Sequence, residues 1–308
     1  MSGANPVSLS WPYEGARPLD EKGDEGASFS AAGSNICLDF HGDPATAGLR
    51  VFSDGNHHMA LEEALRAFLA AYPQAKDVFY ATTPPAPLAR ALESGAIRLG
   101  NLSISARPDV FIGPENVLDR LVKSGQMASH APFMQSRGVA LLLRKGNPKE
   151  IATLGDLLRD DVGIAISHPE NEKASHVVYR RTLLDLLAAA EGGAGRKALE
   201  TVLAGGSPRI VFSRTIHHRE VPELLAGNKA DVAPVYYHLA LRYSRIFPDV
   251  FEFITLDGAP EKPGPASVIT RYHMGLVGDG GTFGQALIEH LNSAAVSEIY
   301  ESHGLKRP

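Results

Sequence analysis

Twelve histidines stand out in this sequence, four of them in the doublets His57–His58 and His217–His218. They lie beside a second set of polar residues that recurs after short apolar runs. Ser53, Asp54, Gly55 and Asn56 follow one run, and Thr82 and Thr83 follow the next. Ser167 and then Ser175 follow a third run, and Ser213 and Thr215 a fourth. Small hydroxyl residues at such places cap helices by satisfying free backbone N–H groups. The same hydroxyls and N–H groups also make a ready anion site, because a helix N-terminus carries partial positive charge. Imidazoles add two chemistries. They supply N–H donors, or positive charge near pH 6, to an anion. In neutral form they ligate a transition metal. In an extended doublet the two side chains diverge, so one of each pair is expected to face a ligand.

Other catalytic patterns are missing. There is no HExxH zinc-hydrolase spacing, no GxSxG nucleophile elbow and no Walker-type loop. Gly278-Asp-Gly-Gly281 reads as a turn rather than a phosphate loop. The single cysteine, Cys37, excludes an intramolecular disulfide and a cysteine-based zinc or iron–sulfur site.

The elements that must position these residues alternate between strand and helix. Val51-Phe52, Val78 to Tyr80, Asp109 to Ile112, Gly138 to Leu143, Val162 to Ile166, Arg209 to Phe212 and Asp231 to Val235 read as strands. Leu61, Ala64, Leu65 and Phe68 share one helix face, and Leu88 to Leu92 and Val117 to Val122 are helical. A helix is expected over Val178 to Ala190, and another begins near Val221. Phe283, Ala286, Leu287, Leu291, Ala294, Ala295 and Ile299 form a long stripe ending near Gly304, a C-cap. This alternation predicts α/β architecture with mostly parallel sheets, whose strand C-termini line a ligand crevice. Residues 1–33 are rich in Gly, Pro, Ser and charge and read as a poorly ordered extension.

The 308 residues carry a net charge of −5, with 44% hydrophobic and 21% charged residues. That balance leaves no basic footprint for nucleic acid or an anionic membrane. No apolar run approaches the ~18 residues of a membrane span. Met1 to Gly26 lacks the basic start and apolar stretch of a secretory signal, so Met1 as native start predicts a cytoplasmic protein.

Four segments resemble a known family. LLLRKGNPKEIATLGDLLRDDVGIAISHPE (141–170) is similar to the crossover of type II periplasmic solute-binding proteins, with the molybdate- and sulfate-type receptors of ABC transporters nearest in pattern. VFSDGNHHMALEEALRAFLAAYP (51–73) resembles their opening strand, ligand loop and helix. LLAGNKADVAPVYYHLA (224–240) resembles the segment that leads to a ligand-facing Tyr, and ALIEHLNSAAVSEIYESHGL (286–305) the closing helices. The resemblance implies a type II fold of two lobes, 48–142 plus 266–308 and 143–265, with 1–47 as an extension. Ala266 to Arg271 would be the return crossover. It implies a non-enzymatic protein that holds a small anion, with an oxyanion as one candidate, between its lobes for a membrane permease. It places that protein in the periplasm and requires no resident cofactor. Ser53 takes the position of the first ligand hydroxyl, and Thr82 and Thr83 that of a hydroxyl pair. The loop from His168 to Ser175 takes the place of the second-lobe loop, and Tyr236 or Tyr237 that of the ligand Tyr.

One feature departs from the oxyanion pattern. His57, His58, His168, His176, His217, His218 and His238 all fall on or beside the expected ligand loops. With Asn56 and the hydroxyls they form the candidate binding set. A second reading is therefore a transition-metal or metal-chelate receptor using His57, His168 and His217, with Asp54, Glu170, Glu172 or Glu220 completing the shell. A third is a cytoplasmic enzyme or sensor that reuses the fold.

Overall fold

The computed structural model describes residues 6–9, 28–30, 37–83, 85–99, 102–204, 206–214, 217–256, 260 and 262–308. The chain divides into two compact units. Unit A holds Tyr13–Gln135 and Thr270–Pro308, and unit B holds Met1–Pro12 and Ser136–Ile269. Beyond Tyr13 the chain passes from one to the other after Gln135 and after Ile269, against expected lobe boundaries at 142/143 and 265/266.

Unit A is built on a seven-stranded sheet. Its strands are β1 (Ser28–Ser30), β2 (Cys37–His41), β3 (Leu49–Asp54), β4 (Val78–Thr83), β7 (Val110–Pro114), β8 (Ala131–Gln135) and β14 (Arg271–Leu276), in the order β1-β2-β4-β3-β7-β14-β8. A separate hairpin pairs β5 (Ile97–Leu99) with β6 (Leu102–Ile104). The centre, β4-β3-β7, is parallel, and the flanking pairs are antiparallel. β1 and β2 fall inside the stretch read from sequence as an extension, and β2 is hydrogen-bonded to β4.

Alternation along the central strands sorts their side chains between two cores. Leu49, Val51, Tyr80, Val110, Ile112 and Tyr272 pack on one face with α1 (His58–Ala71), α7 (Gly284–Leu291) and α8 (Ala294–Ser302). Phe52, Phe79, Ala81 and Phe111 pack on the other, with α2 (Pro85–Ser94) and α3 (Glu115–Lys123). The long C-terminal stripe is two helices rather than one. Asn292 ends α7, and Ser293 caps α8 by accepting the Val296 N–H at 3.3 Å. Gly304, at φ 84°, closes α8 with the Leu305 N–H donating to Tyr300 O at 3.0 Å.

Unit B has a five-stranded sheet, β9 (Val139–Arg144), β10 (Ile164–Ile166), β11 (Ile210–Phe212), β12 (Val232–Tyr236) and β13 (Phe251–Thr255), ordered β11-β10-β12-β9-β13. β11, β10 and β12 run parallel, and β9 runs antiparallel to both of its neighbours, β12 and β13. The helices are α4 (Lys173–Leu203), α5 (His217–Ala226) and α6 (Tyr237–Ile246). The helical region of α4 extends well beyond the expected 178–190. Gly192, at φ 76° and ψ −169°, breaks it, and a second helical stretch follows to Leu203. Only glycine takes that backbone conformation without a steric cost. The N-terminal residues also join this unit: the Val7 N–H donates to Ala226 O at 2.9 Å.

Arg144 lies at the end of β9 remote from Tyr236, where it pairs with Asp231 at 3.0 Å. Residues 278–281 form the turn between β14 and α7, with the Gly280 N–H donating to Val277 O at 3.1 Å. Among the described residues no helix is long and apolar enough to cross a membrane.

Candidate functional site

The C-terminal ends of the parallel strands carry the polar residues singled out from sequence. In unit A, Ser53 is the register partner of Thr82, and Asp54 of Thr83. Alternation turns Ser53 and Thr82 to the α1 face and Asp54 and Thr83 to the α2 face. All four are buried. The Thr82 Oγ1 has no hydrogen-bond partner among the described residues. A buried hydroxyl without a partner is uncommon, because it loses its water bonds for nothing.

Asp54 caps the turn Gly55–His57 by accepting the Asn56 N–H at 2.8 Å. Burial pushes its carboxyl up to about 6, although that hydrogen bond works the other way. His57 is fully buried. Its Nε2 lies 3.4 Å from Ser53 Oγ and its Nδ1 3.1 Å from the Tyr300 hydroxyl. The ring is packed against Tyr272, with centroids 5.0 Å apart. Burial, with neighbouring His58 assisting, pulls its pKa down to about 3. His58 opens α1 and donates from Nδ1 to Gly55 O at 2.8 Å. His41, stacked on Tyr80 at 4.3 Å, is pulled by burial to about 4.

Unit B repeats the arrangement at the ends of β10, β11 and β12. Ser167 is fully buried, and its Oγ has no partner among the described residues. His168 caps the following turn, its Nδ1 accepting the N–H groups of Glu170 and Asn171 at 3.2 and 3.3 Å. Ser175 lies in the first turn of α4, not in a loop, and its hydroxyl donates to Glu172 O at 3.0 Å. His176 donates from Nδ1 to Ser167 O at 2.6 Å. His217 begins α5, buried, with Nε2 donating to Pro234 O at 2.8 Å. Burial pulls it to about 4. Tyr236 ends β12, buried against Tyr179 and stacked on His238. Tyr237 starts α6, its N–H donating to Gly138 O at 3.0 Å, with the Arg137 guanidinium 6.0 Å from its ring centroid. Thr215 lies outside the described residues.

Sequence reasoning missed how Glu172 is used. Its carboxylate accepts the Ser213 hydroxyl and the His217 backbone N–H, at the N-terminus of α5. Burial pushes its pKa above the ordinary value, and Glu220 adds to the shift. Glu220 itself accepts the Arg214 N–H at 2.7 Å. A Glu just ahead of α4 and a Ser–x–x–x–His run at the start of α5 were visible, but only tertiary folding joins them.

The histidines thus sit where the strand ends are. His57, His58, His168, His176 and His217 direct ring nitrogens to partners within their own unit. Among the described residues no group of three or more His, Cys, Asp or Glu side chains is set to hold a metal ion.

Residues 49–306 match the sequence profile of a family described as bacterial extracellular solute-binding protein. No curated protein matches the chain. Among solved structures, the sulfate-binding protein SubI from Mycobacterium tuberculosis H37Rv is similar at 19% identity and TM-score 0.60, over 84% of this chain and 86% of that one. The periplasmic molybdate-binding protein of Azotobacter vinelandii is similar at 16% identity and TM-score 0.57, over 84% and 99%. A ferric binding protein from Campylobacter jejuni is similar at 12% identity and TM-score 0.55, over 83% and 84%.

Proposed function

The chain belongs to the bacterial extracellular solute-binding proteins, and from that premise we propose that it captures a small anionic ligand and delivers it to a membrane permease. The family and the neighbouring structures are substrate-binding proteins for ABC transport, not enzymes, and the fold is of the molybdate- and sulfate-receptor type. Family members work outside the cytoplasmic membrane, and we place this protein there.

One observation carries the anion reading. Thr82 in unit A and Ser167 in unit B each bury a hydroxyl that has no hydrogen-bond partner among the described residues, each at the C-terminal end of a parallel strand. An anion bound at either strand end supplies the acceptor that the hydroxyl there lacks. Hydrogen bonds to a charged group contribute about 1.5–3 kcal/mol each. Micromolar binding, about −8 kcal/mol, therefore takes several well-placed donors once association costs are met. Ser53, Asn56, Thr83, Tyr236 and Tyr237 are the other proposed contributors. A transition-metal ligand on His57, His168 and His217 has no comparable support, because hydrogen bonds within each unit already engage their rings.

Isothermal titration with molybdate, tungstate, sulfate, phosphate and small carboxylates tests the anion reading. Heat from at least one, lost in Thr82→Val or Ser167→Ala, supports it. No heat from any of them, beside a thermal shift with Zn, Cu, Ni, Co or Fe ions that His57→Ala and His217→Ala abolish, replaces it with the metal reading.

A further inference from the structure

We infer that Glu172 selects the ligand of unit B, admitting an oxyanion that carries its own proton, as inorganic phosphate does, over fully ionised sulfate or molybdate. The inference rests on the anion reading above and concerns the strand ends of unit B alone.

The donors at this end are partly spent. Glu172 takes the Ser213 hydroxyl and the first N–H of α5. Gly138 O takes the first N–H of α6. The chain's own carboxylate thus fills the place at the α5 N-terminus that a bound anion would otherwise take. Glu220, which accepts the Arg214 N–H, adds a second carboxylate near the same turn. An ion with no proton meets two like charges here and finds few free donors.

Glu172 is not saturated. A carboxylate has about four lone-pair sites, and among the described residues the Ser213 hydroxyl, the His217 N–H and the His168 backbone N–H account for three. A ligand O–H can donate to a remaining site while its other oxygens accept from Ser167, whose buried hydroxyl is unpartnered among the described residues. The Glu172 N–H donates to His168 O at 3.0 Å, which folds residue 172 back over the turn that follows Ser167. Phosphate near neutral pH has such an O–H, and sulfate and molybdate do not. A site built to bond a ligand hydroxyl rejects the analogue that lacks it by large factors, because its own buried group is left unpaired.

The probes are inorganic phosphate and sulfate, close in size and shape. They are titrated calorimetrically into the wild-type protein, Glu172→Gln and Glu172→Ala, with each melting temperature recorded as a check on folding. Wild type should prefer phosphate by at least about 100-fold. Both variants should bind phosphate more weakly and sulfate more tightly, so that the preference falls to within about tenfold. Two variants serve in case one does not fold. Wild-type binding of sulfate as tight as phosphate overturns the inference, as does a preference that survives in a folded variant. In both cases the anion reading stands. If neither wild type nor a folded variant binds either ion, the inference falls, and the wider anion panel then decides the anion reading separately.

Discussion

The Nδ1 of His57 lies 3.1 Å from the hydroxyl of Tyr300, across 243 residues of sequence. His57 ends the turn that follows β3, and Tyr300 lies on α8. This one bond fixes the first polar loop of unit A to the C-terminal helix. It also orients the other ring nitrogen toward Ser53.

Tyr300→Phe removes that bond and leaves the His57 ring nitrogen buried and unpaired. The expected cost is about 1–3 kcal/mol of stability, with the m-value unchanged. Urea denaturation of wild type and variant measures it. A change inside about 0.5 kcal/mol, the usual range of surface substitutions, would contradict a buried contact.

Acid should unfold the protein partly through its buried histidines. Burial holds His57 near 3 and His217 near 4 in the folded chain, against 6.5 ordinarily. The folded state therefore refuses protons that the unfolded chain accepts. The stability contributed by the neutral rings is complete above pH 6.5 and is lost as pH falls from there toward the folded values. Between pH 6.5 and 5 each ring accounts for about 2 kcal/mol of that loss. His57→Gln cannot titrate, so its stability deficit relative to wild type should shrink by about that amount on going from pH 7 to 5. A deficit independent of pH would mean that His57 is not buried in its neutral form.

Asp54 works in the opposite sense. Burial raises its carboxyl from 3.8 to about 6, so the folded state keeps a proton that the unfolded chain releases. Its favourable contribution is complete below pH 3.8 and is lost as pH rises toward 6. Asp54→Asn keeps an oxygen for the Asn56 N–H and cannot ionise. Relative to wild type, it should gain on the order of 3 kcal/mol between pH 4 and 7. Thermal melts at the two pH values report the difference, and an equal shift at both would rule the mechanism out.

Thr82→Val and Ser167→Ala separate binding from stability. Each removes a buried hydroxyl that has no partner among the described residues. Neither should destabilise the ligand-free protein, and Thr82→Val should add about 1 kcal/mol. Both should weaken anion binding by about tenfold or more, since a hydrogen bond to a charged group is lost. Loss of stability without loss of affinity would assign these hydroxyls to the fold rather than to the ligand.

The order of the elements and the polar chemistry at their junctions are legible in the residues alone. Apolar runs such as Val139–Leu143 and Val232–Val235 are legible because strands buried on both faces need no polar alternation. Ser53, Thr82, Ser167 and Ser213 are legible as strand-end hydroxyls for the same local reason. Element ends were less so: Gly192 and Ser293 interrupt helical patterns through backbone conformation and capping, which apolar periodicity does not register. Which polar groups already have partners depends instead on contacts between residues far apart in the chain. His57 and Tyr300 are 243 residues apart, and Glu172 and His217 are 45 apart. A histidine-rich loop therefore reads from sequence as a binding surface, and in the structure its rings are largely engaged in holding the strand ends together. Among the described residues the hydroxyls of Thr82 and Ser167 are left over at strand ends, and that remainder is a property of packing, because a hydrogen bond is satisfied or orphaned only in three dimensions.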